Sequence, residues 1–350
     1  METTEEIPKE DTSSENSLRE NRKASLSNFK KRLKILLLVG ACSILGVLFY
    51  IHYWHNHDMG AGATAPVVDR GPFQKQWSDR DVFLLGLGDS ITSGFGASPG
   101  KSYFYRLLKN PSDEFSEMEG LTLSAVLPNL TSENRSLSGT TSIELLEFSL
   151  PKIEVQPVET FGIVVLTTGG NDVIHNYGRT PPREGAMYGA TMQEAEPWFI
   201  NFEARLTTIV DLVEQKFPGG CDIFLSNIYD PTDGVGDTLN AGLPAWDDGL
   251  EVLQRYNQII KTTCEQRPNV HLVDLHSTFL GHGIHCKKFW KATYRKEDPY
   301  YWYFDNLEDP NDRGYDAIRR LYLNKIAEVV PARLSTPRAD AVSKTSLSVQ

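Results

Sequence analysis

The chain has 350 residues, 40% hydrophobic, 23% charged and 10% aromatic; that is enough for a large buried core and excludes disordered, collagen-like and low-complexity classes. Its 46 acidic against 35 basic side chains leave a formal charge of −11, the wrong sign for a protein whose main partner is nucleic acid. Four cysteines are too few for a disulfide scaffold, and no Cys/His spacing fits a structural zinc site.

Residues 1–34 read as a polar tail. Acids dominate up to Glu20, then Arg22, Lys23, Lys30, Lys31, Arg32 and Lys34 follow with no acid among them. Ile35–Trp54 carries no Asp, Glu, Lys or Arg. At about 1.5 Å per residue it spans a ~30 Å hydrocarbon layer. Tyr50, Tyr53 and Trp54 at its far end suit the membrane interface. The basic flank predicts a single-pass signal anchor with its N-terminus cytoplasmic and the rest outward; a cleaved signal peptide has a shorter apolar run. Residues 55–79, rich in Gly, Pro and Ala, read as a linker to a domain over 80–333, and 334–350 as a disordered polar tail. On this topology Cys221, Cys264 and Cys286 lie where disulfides are tolerated, with one thiol left over, and Cys42 lies in the membrane.

Within the domain, apolar runs at Asp81–Leu87, Leu121–Leu127, Gly162–Thr167, Asp222–Asn227 and Val270–Leu275 predict strands. Helical periodicity at Pro197–Phe217, Asp247–Glu265 and Arg313–Val330 alternates with them. That alternation predicts an α/β domain with a central parallel sheet and helices on both faces. Tyr177–Ala195 and Gly281–Tyr303 have no clear period and read as loops over the sheet's edge. Ligands of such a sheet gather at the carboxyl ends of its strands.

Three strand ends carry small polar clusters. After the first comes Gly88-Asp89-Ser90-Ile91, where the Ser is either a nucleophile at a helix N-terminus or part of a cap. After the second comes Asn134 to Ser142 around Gly139, whose N–H can approach a reacting oxygen or simply turn a loop. Gly169-Gly170-Asn171-Asp172 follows the third, and its Asn is a turn residue or a donor into the same cleft. No GxGxxG or Gly-Lys-Ser/Thr frame supports a nucleotide site. Acyl transfer needs a hydroxyl and two or three fixed donors around the oxyanion, and this set holds them.

In this order and spacing the runs resemble the first three blocks of the SGNH (GDSL-type) hydrolases, over about 81–332. The resemblance implies a flavodoxin-like three-layer α/β/α fold and a serine esterase or lipase. By it Ser90 is the nucleophile, and the N–H groups of Ser90 and Gly139 with the Asn171 side chain form the oxyanion hole. The last block departs from the pattern Asp-x-x-His-Pro-Asn: here Asn306 stands at the Asp position and Asp309 at the His position, with Pro310-Asn311 and Gly314-Tyr315 kept.

A serine needs a base, and imidazole titrates nearest neutrality. Of eight histidines, His282 between two glycines is the substitute expected here, with His285 and His175 behind it. Glu308 and Asp309 either orient that imidazole or form the acidic first turn of the last helix. Aromatic residues of 177–195 and 290–304 are candidates for the walls of a substrate pocket. The resulting expectation is a membrane-anchored serine esterase acting on acyl esters of carbohydrate, cell envelope or lipid, with no metal or organic cofactor implied and no nucleic-acid partner. The alternative is a non-catalytic binding or structural protein on the same fold, signalled by the missing histidine.

Overall fold

The computed structural model describes residues 12–335; the start of the N-terminal tail and the C-terminal tail from 336 onward lie outside them. Two compact units divide the chain between Asn56 and His57.

The first unit is helix α1 (Thr12–Tyr50), continued by a π-helical turn at Ile51–His55. It is long and apolar enough to cross a membrane, and its apolar stretch has no buried side chain. The helix starts well before Ile35. Between Thr12 and Lys34 there is no Gly or Pro, and Glu, Arg, Lys and Leu are good helix formers. Extending an existing helix avoids the cost of a new nucleus, so the polar residues join it without an apolar face of their own.

The second unit is built on five parallel strands: β1 (Val82–Leu87), β2 (Leu130–Asn134), β3 (Phe161–Leu166), β4 (Cys221–Ser226) and β5 (Val270–Val273). Their order is β2-β1-β3-β4-β5. β1 and β3 pair from Val82↔Phe161 to Leu87↔Leu166. The helices, in chain order, are α2 (Ser90–Ser93), α3 (Tyr103–Leu108), α4 (Leu123–Val126), α5 (Ser142–Glu144), α6 (Gly170–Ile174), α7 (Met192–Gln215), α8 (Gly249–Gln266), α9 (Leu275–Phe279) and α10 (Asp312–Ser335).

Because side chains alternate across a strand, the central strands feed two cores. Leu84, Ile163, Val165 and Phe224 pack with α3, α4, α9 and α10 on one side. Leu85, Leu87, Val164, Leu166, Ile223 and Leu225 pack with α7 and α8 on the other. The buried stripe of α7 is Phe199, Phe202, Leu206, Ile209, Val210 and Val213. The domain is thus a three-layer α/β/α sandwich with flavodoxin-like strand order, as expected.

The second strand is not where its hydrophobicity suggested. Leu123–Val126 within Leu121–Leu127 is the short helix α4, burying Leu123 and Val126. The strand is the next segment, Leu-Thr-Ser-Glu-Asn, which pairs only with β1 and leaves most of its side chains exposed. An edge strand gains from its backbone ladder and needs no apolar side chains.

Residues 57–79 are no free linker, because they lie against the domain. Val68 is buried in the core, the Thr64 hydroxyl donates to Asp316 Oδ2 at 2.8 Å, and Asp58 pairs with Lys287 at 2.6 Å. All four cysteines are free, with Cys221 and Cys286 buried.

Candidate active site

β1 ends at Leu87 and the chain turns at Gly88, where φ is +119° and a Cβ would lie 1.9 Å from the Thr167 carbonyl oxygen. Only glycine lets the ends of β1 and β3 approach so closely. Asp89 then caps α2, accepting from the Ile91 N–H at 3.1 Å and from the Thr167 hydroxyl at 2.7 Å. The cap is therefore Asp89, and Ser90 is left over as the first helical residue. Its backbone N–H, one of the donors that every helix start leaves unpaired, has no protein acceptor among the described residues.

The loop after β2 is tied to α2. Leu137 N–H donates to Gly88 O at 3.0 Å, Asn134 Nδ2 donates to Thr92 O at 2.8 Å, and the Ser93 and Ser138 hydroxyls lie 2.9 Å apart. Gly139 follows with φ +82° and open space where a Cβ would stand. Its N–H also has no protein acceptor among the described residues. On its other side Asn171 Nδ2 donates to Thr140 O at 3.1 Å, which uses one amide hydrogen and leaves the second.

The neighbouring carboxylate of Asp172 is fully buried and fixes this arrangement, accepting from Ser142 N–H at 2.7 Å and Ser142 Oγ–H at 2.5 Å. Burial pushes its pKa up, while Ser142 and Arg205 pull it down. Gly139 is thus bracketed by residues bonded to the Ser90 helix and to Asn171. All lie at the β1/β3 boundary where the strand order reverses, the position at which doubly wound sheets bind ligands.

Ser90 and Asn171 open onto one cleft, open at its mouth. Its polar lining includes Asp89, Ser90, Asn171, Asp230, Thr232, Thr238, Asn306 and Glu308; Ile174, Tyr188, Ile228, Leu243, Trp246 and Leu253 make the rest largely apolar. Of the aromatic loops, 177–195 contributes Tyr177 and Tyr188 to this wall. The other loop does not: Tyr301, Trp302 and Tyr303 are buried in the core under α10.

Behind the serine lies the loop that carries the altered last block. Asp309 is 2% exposed and lies near the Ser90 side chain, which pulls its pKa down. Asp309 Oδ1 is buried and accepts no hydrogen bond among the described residues. Asn306 Nδ2 holds the other oxygen at 2.6 Å, and Phe304 N–H donates to Asp309 O at 2.7 Å. The Tyr229 hydroxyl donates to Glu308 O. Leu307 adopts φ +68°, a left-handed backbone that costs a branched side chain energy.

Three carboxyls share this low-dielectric corner. Burial pushes Glu308 up to about 7, helped by the charges of Asp309 and Asp89. It pushes Asp89 up to about 6 against the pull of Thr167 and Ile91, and raises Asp309 as well.

α10 docks this loop. Asn311 donates to Tyr301 O at 2.8 Å and Tyr303 O at 3.0 Å, and its Oδ1 accepts from the N–H groups of Arg313 and Gly314. Tyr315 Oη donates to Phe95 O at 2.7 Å in the loop after α2.

None of the eight histidines lines the cleft. His282 is 4% exposed and stacks on Trp302 with ring centres 3.5 Å apart; Nδ1 is 3.1 Å from Tyr300 O. Burial pushes it down to about 4, so it stays neutral. The flanking glycines do bring the backbone close to something, but not to the cleft. Asp233 accepts from the N–H groups of Gly281, Gly283 and His285 at 2.8, 2.8 and 2.9 Å. A Cβ on Gly283 would lie 2.2 Å from Pro231 O. His285 Nε2 is 2.8 Å from Asp237 Oδ1, and His175 heads a 3₁₀ turn after α6. Among the described residues no group of three or more His, Cys, Asp or Glu side chains is arranged to hold a metal ion.

A family model described as GDSL-like lipase/acylhydrolase matches residues 87–317, about two thirds of the chain. The chain belongs to this family. No curated protein matches it. Among solved structures, a lipolytic G-D-S-L family protein from Veillonella parvula is 14% identical, with TM-score 0.41 over 71% of this chain and 97% of that one. An extracellular lipase from Streptomyces rimosus is 17% identical, with TM-score 0.45 over 71% and 99%. An acetylxylan esterase from Geobacillus stearothermophilus is 19% identical, with TM-score 0.41 over 72% and 96%.

Proposed function

We propose that this GDSL-family hydrolase is a serine esterase in which Ser90 Oγ attacks the acyl carbonyl. The N–H groups of Ser90 and Gly139 and the remaining amide hydrogen of Asn171 would hold the oxyanion. The observation that supports this reading is a half-buried serine at a helix start that shares one cleft with Asn171, with the unpartnered N–H of Gly139 in the loop bonded both to the serine's helix and to Asn171. Donors fixed before reaction cost no reorganisation when charge develops, which is why such a hole typically contributes about 10²–10³ in rate per donor.

The largely apolar wall favours an ester whose acyl part is an aliphatic chain, since Ile228, Trp246 and Leu253 offer no group for a sugar's hydroxyls. The apolar helix α1 would anchor the enzyme in a membrane, with the basic flank on the cytoplasmic side.

Full-length protein in detergent micelles tests the chemistry with p-nitrophenyl acetate, butyrate and octanoate. Hydrolysis should be lost in Ser90→Ala, a fluorophosphonate should label Ser90, and kcat/KM should rise from acetate to octanoate. Activity that survives Ser90→Ala would refute the serine reading. Carbonate extraction of membranes from an expressing host tests the anchor: the protein should stay in the pellet, and a chain starting at residue 57 should not.

A further inference from the structure

The serine reading leaves its base unassigned, since no histidine reaches the cleft. From the geometry behind Ser90 we infer that Asp309 is the general base of this site, a carboxylate doing what an imidazole would otherwise do. The inference rests on the serine reading and adds to it a residue and a proton path.

Three observations carry it. Asp309 is the buried titratable side chain that has the Ser90 hydroxyl as a neighbour. Its Oδ1 is buried and has no partner at hydrogen-bond distance, although a buried carboxylate oxygen ordinarily takes one. Its Oδ2 is held at 2.6 Å by Asn306, which also accepts from the Asp309 N–H at 3.2 Å, so the carboxyl's orientation is set from its own loop. One oxygen is anchored and the other is vacant, in a carboxyl that neighbours the nucleophile.

The groups facing this carboxyl come from four elements: Asp89 and Ser90 beyond β1, Tyr229 beyond β4, Tyr315 on α10, and Asn306 and Glu308 on its own loop. Burial raises Asp309, and no cation acts to lower it. A higher pKa makes the carboxylate a better proton acceptor. The charge on Asp309 in turn pushes Glu308 and Asp89 further up.

In the forward step Ser90 Oγ bonds to the acyl carbon, its proton passes to Asp309 Oδ1, and the carbonyl π pair moves onto the oxygen held by the amide donors. As the tetrahedral species collapses, the C–O bond to the alcohol breaks and the leaving alkoxide takes the proton from Asp309. Water repeats the sequence on the acyl-Ser90: its proton goes to Asp309 and then to the departing Ser90 Oγ, while the acid is released. Atoms and charge balance with ester and water alone.

The test uses the full-length protein in detergent, p-nitrophenyl butyrate as substrate, and the rate of fluorophosphonate labelling as a second readout. Asp309→Asn keeps the shape and removes the base; kcat/KM should fall about 10²–10⁴-fold, with labelling slowed alongside it and KM little changed. Asp309→His should recover at least tenfold of that loss, with an acid limb near the imidazole value of about 6.5. Asn306→Ala removes the hydrogen bond that lowers the pKa of Asp309, and should move the acid limb of the otherwise native enzyme up by about half a unit or more. This last measurement decides the matter even if the Asp309 variants do not fold. If Asp309→Asn works within threefold of wild type, or the limb stays put in Asn306→Ala, Asp309 is not the base, although an inactive Ser90→Ala would still uphold the serine reading. An active Ser90→Ala would overturn both.

Discussion

Asn306 donates to Asp309 at 2.6 Å through an uncharged amide, so the side chain that steadies the buried carboxyl adds no negative charge to it. A carboxylate and an imidazole need opposite partners here. An imidazole is oriented by an acceptor, and a carboxylate by a donor. Asn306 and Asp309 thus suit each other as a pair, where two carboxylates would repel.

Asn306→Asp should therefore damage the enzyme more than its size suggests. The new like charge raises the pKa of Asp309, so less of the protein carries the carboxylate at neutral pH. The acid limb of kcat/KM should move to higher pH, with the rate at pH 7 down about tenfold. A pH–rate profile on a p-nitrophenyl ester reads this directly.

On the proposed mechanism, Asn171→Ala removes a donor that acts only once the oxyanion forms. A fall of about 10²–10³ in kcat is expected, with KM nearly unchanged. Circular dichroism should show the fold intact, because the side chain's one internal bond is to a loop carbonyl, Thr140 O.

His282 should behave as a packing residue. His282→Gln is expected to lose stability through the stack on Trp302 while leaving kcat/KM per folded molecule within about threefold. Its pKa is about 4 in the fold against 6.5 for the free group, so the unfolded chain takes up more protons between those values. Its neutral burial therefore destabilises the wild type as pH falls from 6.5 toward 4. Thermal melts across that range should decline less steeply in His282→Gln.

Gly314→Ala tests the docking of α10. An added Cβ would lie 2.3 Å from the Trp302 carbonyl oxygen, so backbone must shift to admit it. Overpacking of this kind costs about 1–3 kcal/mol. The urea midpoint should drop accordingly, and activity should fall with it because this helix carries the Asp309 loop into place.

The layers of the domain were legible in the sequence because β1, β3 and β4 are buried on both faces and must be nearly all apolar. β2 was not, because an edge strand is held by its backbone and its side chains announce nothing. The clusters around Ser90, Gly139 and Asn171 could be singled out because a strand end, a helix start and a small-residue loop each leave a local trace in residue type, while the roles proposed for them came from the resemblance to the family's blocks. Asp309 was in view as the residue standing where a histidine was expected. Its contact with Ser90 joins positions more than two hundred residues apart, and no local pattern encodes that. The glycines around His282 misled for a related reason: they signal a close backbone approach without saying to what, and here it is to Asp233.

The cysteines bear on how the molecule can be handled. No cross-link joins Cys42, Cys221, Cys264 or Cys286, and burial pushes the last three thiols up to about 12, far from the reactive thiolate. Assembly of the sandwich therefore asks for no oxidant or isomerase. The catalytic portion should mature as well in a reducing bacterial cytosol as in an oxidising one, and dithiothreitol in the purification buffers should leave its melting temperature where it was.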